Sequence, residues 1–284
     1  MDTLANIIVT TAVYSLIAAG LTIIYGVLRI LHIAHAGVYA VGGYAAWLAI
    51  QQVPNFWVAG IAAMAAAVVV GLAIYYLLYR PLLDAPRGVP LLASIGAFIG
   101  IQALLQRPFL LGPDTHSMPV SSGFPAVGPF SSTEVTVVVI AAVVMAGVTL
   151  LIQRTRLGLS WRAITADRLM AASTGVNVDR SIVINFAVGS ALAGLAALLA
   201  TTYTNAVSAR IGEVVSYKAF VIVVLGGLGN VPGAVAASFL LAAAEILAAR
   251  YAGGLVPRDA IAFLVLILVL LARPEGLTGR RVAT

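Results

Sequence analysis

LANIIVTTAVYSLIAAGLTIIYGVL, residues Leu4 to Leu28, holds no Asp, Glu, Lys, Arg or His. About 20 apolar residues wound as a helix cross the hydrocarbon core of a bilayer, so this stretch is long enough to span by itself. Farther along, Phe56 to Tyr79, Val135 to Ile152 and Ile182 to Thr202 are equally free of charge. The composition agrees: 62% of the 284 residues are hydrophobic and 9% charged, with a mean hydropathy of +1.07. Soluble domains carry about 25% charged residues. The fold expected is therefore all-α, a polytopic membrane helix bundle, with residues 1–284 forming one membrane domain. Residues 112–134 and 154–180 are the longest polar segments, and neither is long enough for a soluble domain. Before the first run stands Asp2 and no Lys or Arg, so that run reads as a retained helix rather than a cleaved signal.

Five weaker runs, Ala34 to Ile50, Leu91 to Leu105, Ala219 to Leu228, Val231 to Leu247 and Ala260 to Ala272, raise the expectation to about eight or nine spans, some short or broken. Placing the N-terminus outside and the C-terminus inside puts eleven of the 16 Lys and Arg in the cytoplasm, among them Arg29, Arg87, Arg154, Arg280 and Arg281. Arg107, Arg210, Lys218, Arg250 and Arg258 then face outward. That bias is the one that positive-inside insertion produces. A re-entrant Ala219 to Leu228 would instead turn the tail outward. Small residues one turn apart, Ser190 with Gly194 and Gly233 with Ala237, favour close helix packing, within the chain or against a second subunit.

Charge and chemistry exclude several functions. The net charge of +6 is not clustered with aromatics as a nucleic-acid surface requires. Cysteine is absent, which rules out disulfides, thiolate metal sites and Cys nucleophiles. The one lysine, Lys218, follows a tyrosine rather than a glycine, so no P-loop is present, and HExxH is missing too. No catalytic residue, cofactor or metal site is expected, and ATP hydrolysis would need another chain.

Three segments interrupt the apolar pattern. GVLRILHIAHAGVYAVGG, Gly26 to Gly43, places Arg29, His32 and His35 within an apolar run almost without turn residues. Ionisable groups at membrane depth face protein or a water-filled path; the other reading is a short cytoplasmic turn. No carboxylate or thiol lies nearby to complete a metal site with the histidines. LGGLGNVPGA, Leu225 to Ala234, cannot continue a regular helix. It is either a break at membrane depth along a transport path or a plain tight turn. Glu245 is the one acid well inside a run, with Arg250 as an interfacial partner. The candidate translocation path is thus His32, His35, Gly226, Gly227, Gly229, Asn230 and Glu245. The polar segment RTRLGLSWRAITADRLMAASTGVNVDR, Arg154 to Arg180, reads as a cytoplasmic helix capped by Ser160 and ended by Gly175. Its many alanines suit a rod that slots into another protein; a positive-inside linker is the alternative.

Together with YRPLLDAP, VPLLASIGAFIGIQALLQ and the tail RPEGL, these pieces stand in an order that resembles the branched-chain amino acid permease family, membrane subunits of bacterial ABC importers. The resemblance covers essentially the whole chain. It implies that 154–180 carries a coupling helix, with Arg162, Ala163, Ala166, Asp167, Ala171 and Gly175 as candidate contacts to an ATPase. It implies as partners a second permease subunit (homo- or heterodimer), two cytoplasmic ATPase subunits, a periplasmic or extracellular solute-binding protein and the lipid of the bacterial inner membrane. The solute implied is an amino acid, branched-chain first, though related members carry urea or short amides. In one respect the chain departs from the family: Ala36 and Gly37 follow His35, where a carboxylate or another polar residue is usual. The competing reading is a passive channel or ion-coupled transporter for a small polar solute, resting on Glu245 and the His32/His35 pair.

Overall fold

The computed structural model describes residues 2–83, 85–86, 88–110, 112–119, 124–128, 130–251 and 257–278. Among the described residues, eleven α-helices follow one another: α1 (Asp2–Leu28), α2 (His35–Gln52), α3 (Phe56–Ile74), α4 (Gly88–Leu105), α5 (Ser132–Arg154), α6 (Arg156–Ala166), α7 (Arg168–Ser173), α8 (Val178–Thr204), α9 (Ile211–Gly226), α10 (Val231–Tyr251) and α11 (Arg258–Ala272). Beyond Ile74, α3 continues through a π turn at Tyr75–Tyr79 and a 3₁₀ turn at Arg80–Leu82. A two-residue ribbon pairs β1 (His116–Ser117) with β2 (Ala206–Val207). Each apolar run read from the sequence falls largely within helical structure, with α9 spanning Ile211–Gly226 rather than Ala219 to Leu228 and α2 starting at His35 rather than Ala34. Among the described residues, α1, α3, α4, α5, α8 and α10 are long and apolar enough to cross a membrane by themselves.

The helices begin where their sequence offers a cap. Asn55 accepts hydrogen bonds from the N–H groups of Trp57 and Val58 at the start of α3. Ser131 and Glu134 form a reciprocal capping box on α5, satisfying donors that the first turn leaves open. In α1 and α8, 72% of the spanning window is buried, against 17% in α4. These two helices are the axis of the bundle and the others wrap them. Their backbones meet at Gly20 and Gly189, where a Cβ on either would strike the other's carbonyl. The expected Ser190–Gly194 pair packs likewise: Gly71 faces the Ser190 hydroxyl, and Gly194 lies against the backbones of Gly42 and Ala63. Lipid is as apolar as any side chain, so such close backbone contact is what holds helices together there.

One end of the bundle gathers the C-termini of α1, α5 and α9, the short helices α6 and α7, and the tail 273–278. Arg87, Arg280 and Arg281, part of the charge bias, lie outside the described residues. The opposite end carries the β ribbon, the Tyr203–Asn6 hydrogen bond and a contact between Arg250 and Thr3.

Two local expectations are corrected. The 154–180 segment is not one helix capped by Ser160. Thr155 caps α6 by accepting from Gly158 N–H, and the Ser160 hydroxyl donates back to the Arg156 carbonyl. Asp167, extended at φ −155°, then breaks the rod and caps α7. Gly175 does end it, at φ +88°, a backbone shape that suits glycine. Lys218, expected to face outward, is instead buried, because its ammonium finds an acid inside.

Candidate functional site

The most unusual backbone lies between α1 and α2. Arg29 leaves α1 with a positive φ of 53°, and the chain turns back into the bundle. His35, the first residue of α2, sits against Gly20, eight residues before the end of α1 and so about 12 Å inside it. The ring of His32 packs 5.3 Å from that of Phe186, about as deep in α8. From α4, the Ser94 hydroxyl accepts the N–H of Ala34 at 2.8 Å. The chain thus breaks inside the bundle rather than at a surface turn, and both histidines are buried. His32 Nδ1 meets the Tyr79 hydroxyl at 2.8 Å. Its Nε2, and both ring nitrogens of His35, have no hydrogen-bond partner. Among the described residues no acid or third histidine joins them to make a metal site.

A second polar cluster joins three helices. Glu245 Oε2 on α10 accepts from Lys218 Nζ on α9 and from the Tyr14 hydroxyl on α1, each at 2.8 Å. Lys218 Nζ also reaches the Tyr14 hydroxyl at 2.8 Å and lies over its ring. The ion pair is buried, with side chains 7% and 3% exposed. Arg250, the partner read from the sequence, lies instead over the Tyr251 ring.

The glycine-rich segment Leu225 to Ala234 is the turn between α9 and α10. Gly227 and Gly229 take positive φ, 94° and 83°. Carbonyls freed by the turn find partners in the tail: Leu225 accepts from Leu277 N–H and Gly226 from the Thr278 hydroxyl, both at 2.7 Å. Asn230 also donates to Thr278. An open cleft of about 920 Å³ brings Gly227, Gly229 and Asn230 together with Arg162, Thr165 and Glu275. Glu245 borders neither this cleft nor the histidines.

The α6–α7 segment is fixed firmly on its inner side. Arg29 donates to the Thr165 carbonyl, Thr165 donates to the Gly26 carbonyl, and Trp161 Nε1 donates to the Ser181 carbonyl. Gly158 is required where α6 folds onto α5, since a Cβ there would strike the Ile152 carbonyl. Arg162, Ala166, Asp167 and Gly175 are exposed, Ala163 is half-buried and Ala171 is buried. Leu159, Leu169 and Met170 are apolar and exposed.

Residues 3–271 match the family described as branched-chain amino acid transport system / permease component. The chain belongs to that family. It is 34% identical over 299 residues to the high-affinity branched-chain amino acid transport system permease protein BraD of Pseudomonas aeruginosa, covering 99% of this chain and 96% of that one. It is 31% identical to LivH of Escherichia coli, a permease protein of the same description, over 94% and 91% of the two chains. A probable branched-chain amino acid transport permease protein of Methanocaldococcus jannaschii is 26% identical over 93% and 88%. This permease is accordingly a multi-pass inner-membrane transport subunit. Sequence reasoning found His32, His35 and Glu245 by their charge. It did not find Tyr14, Tyr79 or Ser94, which complete their surroundings from other helices and carry no charge to mark them.

Proposed function

We infer that this chain is the translocation subunit of an ABC importer, moving a branched-chain amino acid inward by alternating access. The relatives' substrate supports that choice of solute. Two separate ATPase subunits drive it, a second permease subunit completes the pathway, and a solute-binding protein delivers the cargo outside. Nine crossings with the N-terminus out and the C-terminus in place α6 and α7 in the cytoplasm, as the charge bias supports.

The observation that carries this reading is the α6–α7 segment. It is bonded to α1 and α8 behind, while Leu159, Leu169 and Met170 face outward with nothing covering them. Force applied to such a knob passes directly to the two axial helices. The break at Asp167 makes α6 the stiff, anchored part and α7 the contact tip. The ion-coupled alternative loses its acid, since Glu245 is already neutralised by Lys218.

The test is leucine uptake into proteoliposomes carrying the full assembly. Uptake should require ATP, both ATPase subunits and the binding protein. Full uptake by the permease subunits alone would overturn the importer reading and leave a channel.

A further inference from the structure

Between α1, α2 and α9 lies a cavity of about 20 Å³, lined by His32, His35, Leu31, Ser216, Ala219 and Phe220. That is room for roughly one water-sized group. Three of its features point to a ligand, and they are independent of one another.

The first is the unmet hydrogen-bonding capacity of the two rings. His32 and His35 are 1% and 2% exposed, yet three of their four ring nitrogens have no partner. The carbonyl of Ile17 turns toward the His35 ring but does not meet hydrogen-bond geometry. Buried polar atoms are nearly always satisfied, so three orphans on two residues that line one cavity call for an explanation. When the Tyr79 hydroxyl donates to His32 Nδ1, the proton of the neutral ring sits on Nε2, leaving an N–H donor free.

The second is the start of α2. An 18-residue helix begins inside the bundle with His35 as its first residue, so its positive end lies beside the cavity. The N–H groups of His35 and Ala36 close back on the carbonyls of His32 and Ile33, so the helix contributes its field more than free donors. A discontinuous helix whose N-terminal end lies at membrane depth is suited to an anionic group of a solute. The third is the remaining wall. Leu31, Ala219 and Phe220 are apolar, and Ser216 adds a hydroxyl.

We propose that this cavity is the contracted form of a carboxylate subsite for the transported amino acid. His32 Nε2–H, the His35 ring and the positive end of α2 take the carboxylate. The apolar wall takes the aliphatic side chain when α9 moves away from α2 and the cavity enlarges. The proposal rests on reading the chain as an amino-acid permease, and the test separates the two.

The chain has three histidines, and His116, half-exposed at the far end of the bundle, serves as an internal control. The full assembly, turning over ATP in proteoliposomes, is treated with diethyl pyrocarbonate, and modification of each histidine is read by peptide mass spectrometry. Leucine delivered by its binding protein should slow modification of His35 several-fold and leave His116 unchanged. Leucinol, which lacks the carboxylate, should protect neither. If leucine is taken up while His35 is modified at the same rate with and without it, or is never modified, the subsite is refuted and the permease reading stands. Equal protection by leucinol refutes it as well. No leucine uptake by the unmodified assembly defeats the permease reading and the subsite with it. Separately, His35→Leu should lower uptake at least tenfold and His35→Gln, which keeps an N–H, should recover part. Uptake by His35→Leu within twofold of wild type overturns the assignment; should that variant not assemble, the labelling of the unaltered chain decides.

Discussion

Lys218 and Glu245, with the half-buried Tyr14, are gathered in the same bundle as the buried His32 and His35, and α9 borders both groups, yet the two are treated differently. In the first, an ammonium, a carboxylate and a hydroxyl share three contacts of 2.8 Å, and only Glu245 Oε1 is left over. In the second, a single contact to Tyr79 serves two rings. Leaving a polar group unpaired in the interior is costly, more so where the surroundings are lipid. A closed network ties helices together, and an open one keeps capacity in reserve. The contrast separates residues that hold α1, α9 and α10 in register from residues whose hydrogen-bonding capacity is unspent, which is what the proposed subsite requires.

The sharpest way to break this contrast is to remove one partner of the closed group. Lys218→Met leaves a buried carboxylate with one donor, and loss of about 3–5 kcal/mol is expected. Thermal unfolding of the purified protein measures it, and Lys218→Met with Glu245→Leu should recover most of the loss. A smaller effect is expected from Tyr14→Phe, which removes the hydroxyl that donates to Glu245 and accepts from Lys218 but leaves the ion pair in place, about 1.5–3 kcal/mol. The smallest belongs to the open group. His35→Leu removes ring nitrogens that bond to nothing, so its unfolding temperature should match wild type or rise slightly, even as uptake falls. A large loss of stability in that variant would erase the distinction between the two clusters.

The sequence displays the helices well because each span needs a long apolar run, and such runs are local. It also displays the break at Arg29 to His35 and the stop at Gly175, since charge inside an apolar stretch and a glycine after a helix are local signals. What it hides is every partnership across helices. Glu245 looks to Arg250 along the chain, but the backbone brings it Lys218 and Tyr14 instead. The carbonyls of Leu225 and Gly226 are supplied by Leu277 and Thr278, whose RPEGL-T sequence gives no sign of that use. The cap at Thr155 in place of Ser160 is a smaller error of the same kind: α6 folds directly back on α5, and the packing of Gly158 against Ile152 fixes where the helix starts.

The early start of α2 bears on how the protein is made. With two glutamines at one end and a histidine at the other, α2 is not among the helices apolar enough to enter a bilayer by themselves. Its buried face is covered by α3 and α8, Gly42 resting directly on Gly194. At cellular synthesis rates, α8 follows α2 out of the ribosome by on the order of 10 s. During that interval α2 has α3 for company but not α8, so the insertion machinery, or a chaperone beside it, has to shelter a half-covered helix until the second half of the chain arrives.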